Sequence, residues 1–244
     1  MEKVDGKLLS SLVCLCGHIS YDYIGMVDFK MMQPNEFLYV EDVAPDFFLE
    51  QLEEIFYNPA YDFAWYWNDS TVDYRNAIDD PNAIKSHMFT HMFFSDGAPV
   101  SVFAPYIMIL SRALRQKGFE HDNIWRAKAN LYTPVPGFSK EGHHHPHIDH
   151  LNRSNYLSCN YFLNDSDGDF IIFNENQKDF TETGKVRGTW GGEPHPDELT
   201  VMERISPKAN SAVIFDGWQY HSSNVPFDSP RRITINFTGG HELE

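Results

Sequence analysis

The sequence predicts a mainly β domain with flanking helices, and three observations predict it. Eight short strand-like runs, near 124–133, 146–150, 156–163, 169–174, 200–205, 211–216, 219–224 and 231–238, occupy the second half of the chain. Turn-forming stretches separate them, among them Asn164-Asp-Ser-Asp-Gly168, Pro207-Lys-Ala-Asn210 and Asp228-Ser-Pro230. Ahead of them the apolar residues recur at helical spacing. Short strands in such number imply a sandwich or barrel, because each buries one face and needs a second layer. The preceding helices would cover one outer face.

The elements follow in order. Leu8 to Cys16 is a short apolar run whose flank mixes Glu2 and Asp5 with Lys3 and Lys7. It lacks the basic stretch of a signal peptide and reads as an ordinary N-terminal element. Phe37-Leu-Tyr-Val-Glu41 reads as a strand. Pro45-Asp46 then opens a helix to about Phe56, with Phe47, Phe48, Leu52 and Phe56 on one face. Tyr61 to Trp67 is an aromatic cluster suited to a core or a docking wall. Ser101 to Gly118 is a second helix, apolar at Phe103, Ile107, Ile109, Leu110 and Leu114. Arg112, Arg115 and Lys117 complement the negative end of its dipole, and Gly118 stops it. Residues 174–198, rich in Gly, Pro and charge, interrupt the strand series like a lid or substrate wall. The chain reads as a single domain, 1–244, with a mixed helical lead-in over 1–120 and a strand-built core over 121–240.

Composition narrows the function. Of 244 residues, 42% are hydrophobic and 15% aromatic, enough for a sizeable core. Lys plus Arg number 19 against 35 Asp plus Glu, a net charge of −16 that repels nucleic-acid phosphates and anionic lipid. No apolar stretch reaches the roughly 20 residues of a membrane span. Cys14, Cys16 and Cys159 form no disulfide framework, so a soluble cytoplasmic protein is expected. Cys14 and Cys16 lack a second pair to complete a zinc site and read as small buried hydrophobes.

Chemistry concentrates in Gly142-His-His-His-Pro-His-Ile-Asp-His150. In a strand, His147 and Asp149 project from the same face, so an imidazole and a carboxylate can reach one ion. A third ligand is available in His221, 72 residues after Asp149. Two histidines and one carboxylate on one side of a metal form the facial triad of non-haem Fe(II) oxygenases, which leaves positions open for co-substrate and O₂. Arg232 follows His221 by 11 residues, and alternation places Arg232, Thr234 and Asn236 on one strand face. A guanidinium facing inward needs an anion, either an internal carboxylate or a ligand's. His143, His144, His145 and His150 read as mostly solvated, with His150 turned away from the ion by alternation; Asp216 and Trp218 read as turn and core residues.

Taken together these pieces resemble the Fe(II)/2-oxoglutarate-dependent dioxygenases, in particular the prolyl-4-hydroxylase-like group of phage and bacterial type. The matching pieces are Asn130-Leu-Tyr132, His147-Ile-Asp149, Tyr161-Phe-Leu-Asn164 with Gly168, Pro207-Lys-Ala-Asn210, Phe215-Asp-Gly217, His221 and Arg232-Ile-Thr234. They span about half of the chain, from Ile124 to Phe237. The resemblance implies a double-stranded β-helix of two four-stranded sheets. It implies Fe(II) held by His147, Asp149 and His221, 2-oxoglutarate and O₂ as co-substrates, and ascorbate in support. It implies a distal 2-oxoglutarate carboxylate on Arg232 and Thr234, with Tyr132 and Tyr161 at the co-substrate. Phe162 stands where peptidyl hydroxylases carry a tyrosine.

The reaction so implied is hydroxylation of an unactivated C–H bond, with release of succinate and CO₂. Its substrate would be a prolyl residue in a peptide or protein, with Tyr61, Phe63, Trp65, Tyr66, Trp67 and Trp190 available to wall a groove. A free amino acid or small metabolite is the alternative. Nucleic-acid dealkylation fits less well, since Thr238 stands where those enzymes carry a second arginine. A non-catalytic cupin-like binding protein would have no need for an open metal face.

Overall fold

A computed structural model describes residues 36–72, 83–150, 155–176 and 199–240, all within the compact unit Met31–Glu244. Leu8 to Cys16, Trp190 and the 177–198 part of the expected insertion lie outside the described residues. The described elements are β1 (Phe37–Val40), α1 (Asp46–Tyr57), a 3-10 turn (Pro59–Tyr61), β2 (Tyr66–Asn68), β3 (Met88–Ser95), β4 (Ala98–Pro99) and α2 (Ala104–Gln116). There follow β5 (Asn123–Tyr132), β6 (Tyr156–Phe162), β7 (Phe170–Asn176), β8 (Val201–Ile205), β9 (Ser211–Asp216), β10 (Gln219–Ser223) and β11 (Arg232–Gly240).

The architecture is mainly β, in two antiparallel sheets of a jelly-roll core with flanking helices. The larger runs β1-β9-β6-β11-β5-β3-β2, with β4 on β3, and the smaller runs β10-β7-β8. The lead-in does more than cover a face. Its β1 pairs with β9 and its β3 with β5, extending the large sheet at both sides. The β3–β4 hairpin turns at Asp96-Gly97, both at positive φ (48° and 79°), as a two-residue hairpin turn that follows the strand twist requires. The expected strand at 146–150 is reduced to an isolated bridge between His147 and His221, so the small sheet has three described strands. Pro146 has no N–H to donate to a longer ladder.

Strand alternation sorts the layers. Ala127, Ala129, Cys159, Tyr161, Ala212, Ile214, Ile233, Ile235 and Phe237 face away from the small sheet and pack with α1 and α2. Helix α1 contributes Phe48, Leu52, Ile55 and Phe56; Phe47 is 70% exposed, one residue and about 100° off that face, and Ile55 takes the expected place. Helix α2 contributes Ile107, Leu110, Ser111 and Leu114, whereas Ile109 is exposed. It ends where Gly118, at φ +108°, turns the chain so that Phe119 N–H reaches the Leu114 carbonyl. Phe63 and Trp65 pack partly buried on this core, while Tyr61, Tyr66 and Trp67 are exposed. Between the sheets, Phe162, Val213 and Phe215 meet Phe170 and Ile172. No helix among the described residues is long and apolar enough to cross a membrane.

Asn210 ties the lead-in to this sandwich. It sits at φ +60° before β9, and its side chain accepts from Ala44 N–H (2.9 Å) and Tyr161 Oη (3.1 Å) while donating to the Ala44 carbonyl (2.7 Å). Replacing it with alanine leaves these buried groups unmatched in a backbone conformation alanine disfavours. Asn210→Ala is expected to lower unfolding stability by about 2–4 kcal/mol in urea titration. A change under about 0.5 kcal/mol, the scale of an ordinary surface substitution, would contradict this role.

Candidate metal centre

The site is assembled by one main-chain bridge. His147 N–H donates to the His221 carbonyl (3.0 Å) and His221 N–H to the His147 carbonyl (3.1 Å), which sets their rings 4.4 Å apart. Each Nδ1 lies against a carbonyl two residues earlier, His145 O at 3.2 Å and Gln219 O at 3.1 Å. A carbonyl only accepts, so Nδ1 carries the proton in both rings and Nε2 keeps its lone pair for a ligand role. Asp149 completes the group: one donor atom from each of the three residues lies within 4.8 Å of the others.

Asp149 is buried and fully bonded. Oδ1 accepts from Arg126 Nη2 at 2.5 Å, and Oδ2 accepts from Ser158 Oγ (2.7 Å) and Asn236 Nδ2 (3.3 Å). Arg126 Nη2 also donates to Asn236 Oδ1 (2.7 Å). Burial alone would raise the Asp149 carboxyl, but Arg126, then His221 and His147, hold it well below the usual carboxylate range. Burial, reinforced by His221, lowers His147 to about 3, and burial also lowers His221. At neutral pH the group is one carboxylate and two neutral imidazoles, the donor set a divalent transition metal requires.

Arg232, Thr234 and Tyr132 line the same cavity as these three residues. Arg232 is 1% exposed; its Nη1 donates to the Gly168 and Asp169 carbonyls (2.8 and 2.9 Å), and its guanidinium lies 4.1 Å from the Tyr132 ring centroid. No carboxylate pairs with it among the described residues, and its buried Nε has no hydrogen-bond partner. The internal salt bridge that could have explained this arginine is absent there. Thr234 accepts a long 3.4 Å bond from Asn130 Nδ2, and Asn130 Oδ1 is unmatched in the same cavity. An anionic, oxygen-rich ligand spanning from Arg232 towards the triad fits the unmatched Arg232 Nε–H and the Thr234 hydroxyl.

Tyr161 is not brought to the site. Alternation in β6 turns Asn160 and Phe162 to the cavity, while Tyr161 packs in the opposite core and donates to Asn210. The histidine run also differs from expectation. His144 and His145 are buried, because the 143–147 turn threads against β10: His144 N–H bonds the Ser223 carbonyl, and its ring sits between Ser86 Oγ (2.8 Å) and Ser223 Oγ (3.1 Å). His150 packs on Trp125 and Tyr156 and bonds Thr238 Oγ1 (2.8 Å), outside the triad. Asp216 caps the turn at Trp218 N–H (3.0 Å). Arg126 and Lys128, which the sequence reading did not single out, also line the cavity. The signal was present in the alternation of Arg126, Lys128, Asn130 and Tyr132 against Trp125, Ala127, Ala129 and Leu131.

No protein-family model and no curated protein matches the chain. Solved structures do match in fold. An oxidoreductase of the 2OG-Fe(II) oxygenase family from Burkholderia pseudomallei aligns with TM-score 0.52 and 10% identity, over 85% of this chain and 88% of its own. A prolyl hydroxylase from Trichoplax adhaerens, in complex with a hypoxia-inducible-factor peptide fragment, aligns with TM-score 0.50 and 13% identity, over 84% of each chain. The non-haem α-ketoglutarate-dependent carbocyclase SnoK of nogalamycin biosynthesis aligns with TM-score 0.53 and 8% identity, over 88% of this chain and 83% of its own. The fold is the one these 2-oxoglutarate–Fe(II) oxygenases share, whether they act on peptides or small molecules.

Three imidazoles, His144 and His221 buried and His147 half-buried, have consequences for stability without metal. His144, His147 and His221 are all held below the ordinary histidine value, first by burial. The unfolded chain takes up protons near pH 6.5 and the folded chain does not, so stability is lost as pH falls from about 6.5 towards 3. The slope approaches about 1.4 kcal/mol per pH unit for each such histidine. Asp149 acts in the same direction below about pH 4. Urea midpoints of metal-free protein at pH 7 and 5 should therefore differ, the lower at pH 5; equal midpoints would contradict the neutral imidazole set.

Proposed function

We propose that the protein is an Fe(II)- and 2-oxoglutarate-dependent dioxygenase that hydroxylates an unactivated C–H bond. The observation that carries this reading is the sharing of one cavity by the His147–Asp149–His221 group and Arg232, which no carboxylate pairs among the described residues. His147 Nε2, His221 Nε2 and an Asp149 carboxylate oxygen hold the metal. Arg232, with Thr234 beside it and Tyr132 over its guanidinium, holds the distal carboxylate of 2-oxoglutarate. When bound, iron supplies the oxidative decarboxylation of 2-oxoglutarate to succinate and CO₂, with the second oxygen atom of O₂ entering the substrate C–H bond. The chain's own part is to hold the donors in one tautomer, neutralise Asp149 with Arg126 and exclude bulk water. Ascorbate serves as a supporting reductant.

The substrate read first is a prolyl residue in a peptide or protein, as the sequence resemblance implies and as the fold shared with a prolyl hydroxylase supports. A free amino acid or small metabolite is the second reading, favoured by the cationic lining at Arg126 and Lys128. Either substrate is consistent with a soluble cytoplasmic protein and with no nucleic-acid partner; Thr238 is buried and engaged by His150.

Proton NMR of protein with Fe(II), ascorbate, O₂ and 2-oxoglutarate tests the reading, with and without a proline-rich peptide. Succinate is expected in the wild type and absent from His147→Ala. Stimulation by peptide, with a peptide mass gain of one oxygen, would establish the prolyl substrate; succinate indifferent to peptide would move the substrate to the small-molecule class. No succinate from iron-loaded protein would overturn the dioxygenase. In a separate titration, Arg232→Met is expected to weaken 2-oxoglutarate binding to the Mn(II)-loaded protein by about a hundredfold or more, the scale of losing one member of a buried charge pair. Unchanged affinity would remove Arg232 from the anchor role.

A further inference from the structure

A second cavity, of about 350 Å³, opens beside the triad. It shares Arg126, Lys128, His147 and Asp149 with the first cavity but reaches none of Arg232, Thr234 or Tyr132. Lys128 lies on the inward face of β5, opposite Asn236 of β11 and Met92 of β3. Its ammonium makes no hydrogen bond or ion pair among the described residues. Arg126 beside it is already matched by Asp149, so Lys128 is the cation of this wall whose charge is left over. Burial, and then Arg126, lower it to about 8, a value that leaves it mostly charged at neutral pH. A charged, partly desolvated group without an acceptor among the described residues is costly, and an anion in the cavity would offset that cost.

Two further features restrict the anion. With Arg232 committed to 2-oxoglutarate, Lys128 is free for a different carboxylate. The cavity volume is at the lower end of small-molecule sites, which run from roughly 300 Å³. Asp69 and Asn68 line the same cavity, and Asp69 offers a complement to an ammonium group. An internal prolyl residue brings only neutral amides and would leave Lys128 unmatched.

We propose that this second cavity is the substrate subsite and that Lys128 anchors a substrate carboxylate, which selects the second substrate reading over the peptidyl one and makes the substrate a small carboxylic acid of the amino- or imino-acid class. The assignment rests on the first cavity being the 2-oxoglutarate site.

The probe is acetate, with acetamide as its uncharged isostere. Line broadening of acetate, acetamide and 2-oxoglutarate by Mn(II)-loaded protein reports binding near the metal without turnover. In 2-oxoglutarate-saturated wild type, acetate should broaden saturably and acetamide should not. Lys128→Met, which keeps the apolar stem, should weaken acetate binding about tenfold or more. Lys128→Arg should retain acetate. Two results would overturn the proposal: no saturable acetate binding in wild type, or acetate binding unchanged in Lys128→Met. Failure of wild type to broaden 2-oxoglutarate at all would instead sink the dioxygenase reading. The subsite would then be read alone, from acetate-induced amide shifts along β5 in metal-free protein, and shifts absent there or unchanged in Lys128→Met would sink it too.

Discussion

A carboxylate taken out of water must be matched, and the interior of this protein is arranged around that requirement at Asp149. Its oxygens are met by Arg126, Ser158 and Asn236, which come from three adjacent strands of the large sheet, β5, β6 and β11. Each of these partners projects inward only because strand alternation puts its neighbours into the opposite core. The compensation is what keeps Asp149 ionised while buried, and an ionised Asp149 is what allows two neutral imidazoles beside it to form a cation site. Because Arg126 supplies positive charge in advance, the site is neutralised in part before any metal arrives. A metal held there would share the carboxylate with an arginine.

The space between the sheets is divided accordingly. One part is apolar, where Phe162, Val213 and Phe215 meet Phe170 and Ile172, and gives the sandwich its stability. The other part is polar, lined by β5 and β11 from Arg126 and Asn236 to Tyr132 and Arg232. Phe162 and Phe170 lie on the boundary and line both. The histidine turn closes the polar part from the side through its bridge to β10. A bridge of two hydrogen bonds fixes His147 against His221, and Asp149, two residues on, reaches Arg126.

Much of this was legible in the sequence, and the failures have physical causes. Strands β5 to β11 follow period-2 alternation and turn residues, and both helices follow the helical repeat, so their positions were readable within a few residues. Strand β3 was not, because Met88–Ser95 sets Thr90 and His91 side by side among apolar residues and so carries no alternation; its one marker was the Asp96-Gly97 turn. His147, Asp149 and His221 were readable because their spacing is chemical as well as structural. Tyr161 was misplaced by one step although the strand carries its parity: Ser158 and Asn160 mark the cavity face, and Leu157, Cys159 and Tyr161 the opposite one, but every residue of the strand is buried and the resemblance outweighed the alternation. The burial of His144 and His145 was invisible because histidine is equally at home in solvent, and only the turn's pairing with β10 takes it inside. Arg126 and Lys128 look like surface charges until their strand is known to have its polar face inward.

The account's central claim is that the triad and Arg232 act on one ligand pair, a divalent ion and 2-oxoglutarate. A crystal structure of the protein grown with Mn(II) and N-oxalylglycine tests this most directly. The account predicts an ion bonded to His147, Asp149 and His221, with the analogue's distal carboxylate on Arg232 and Thr234. An ion bound elsewhere, or an analogue whose distal carboxylate turns to Lys128 instead, would contradict it.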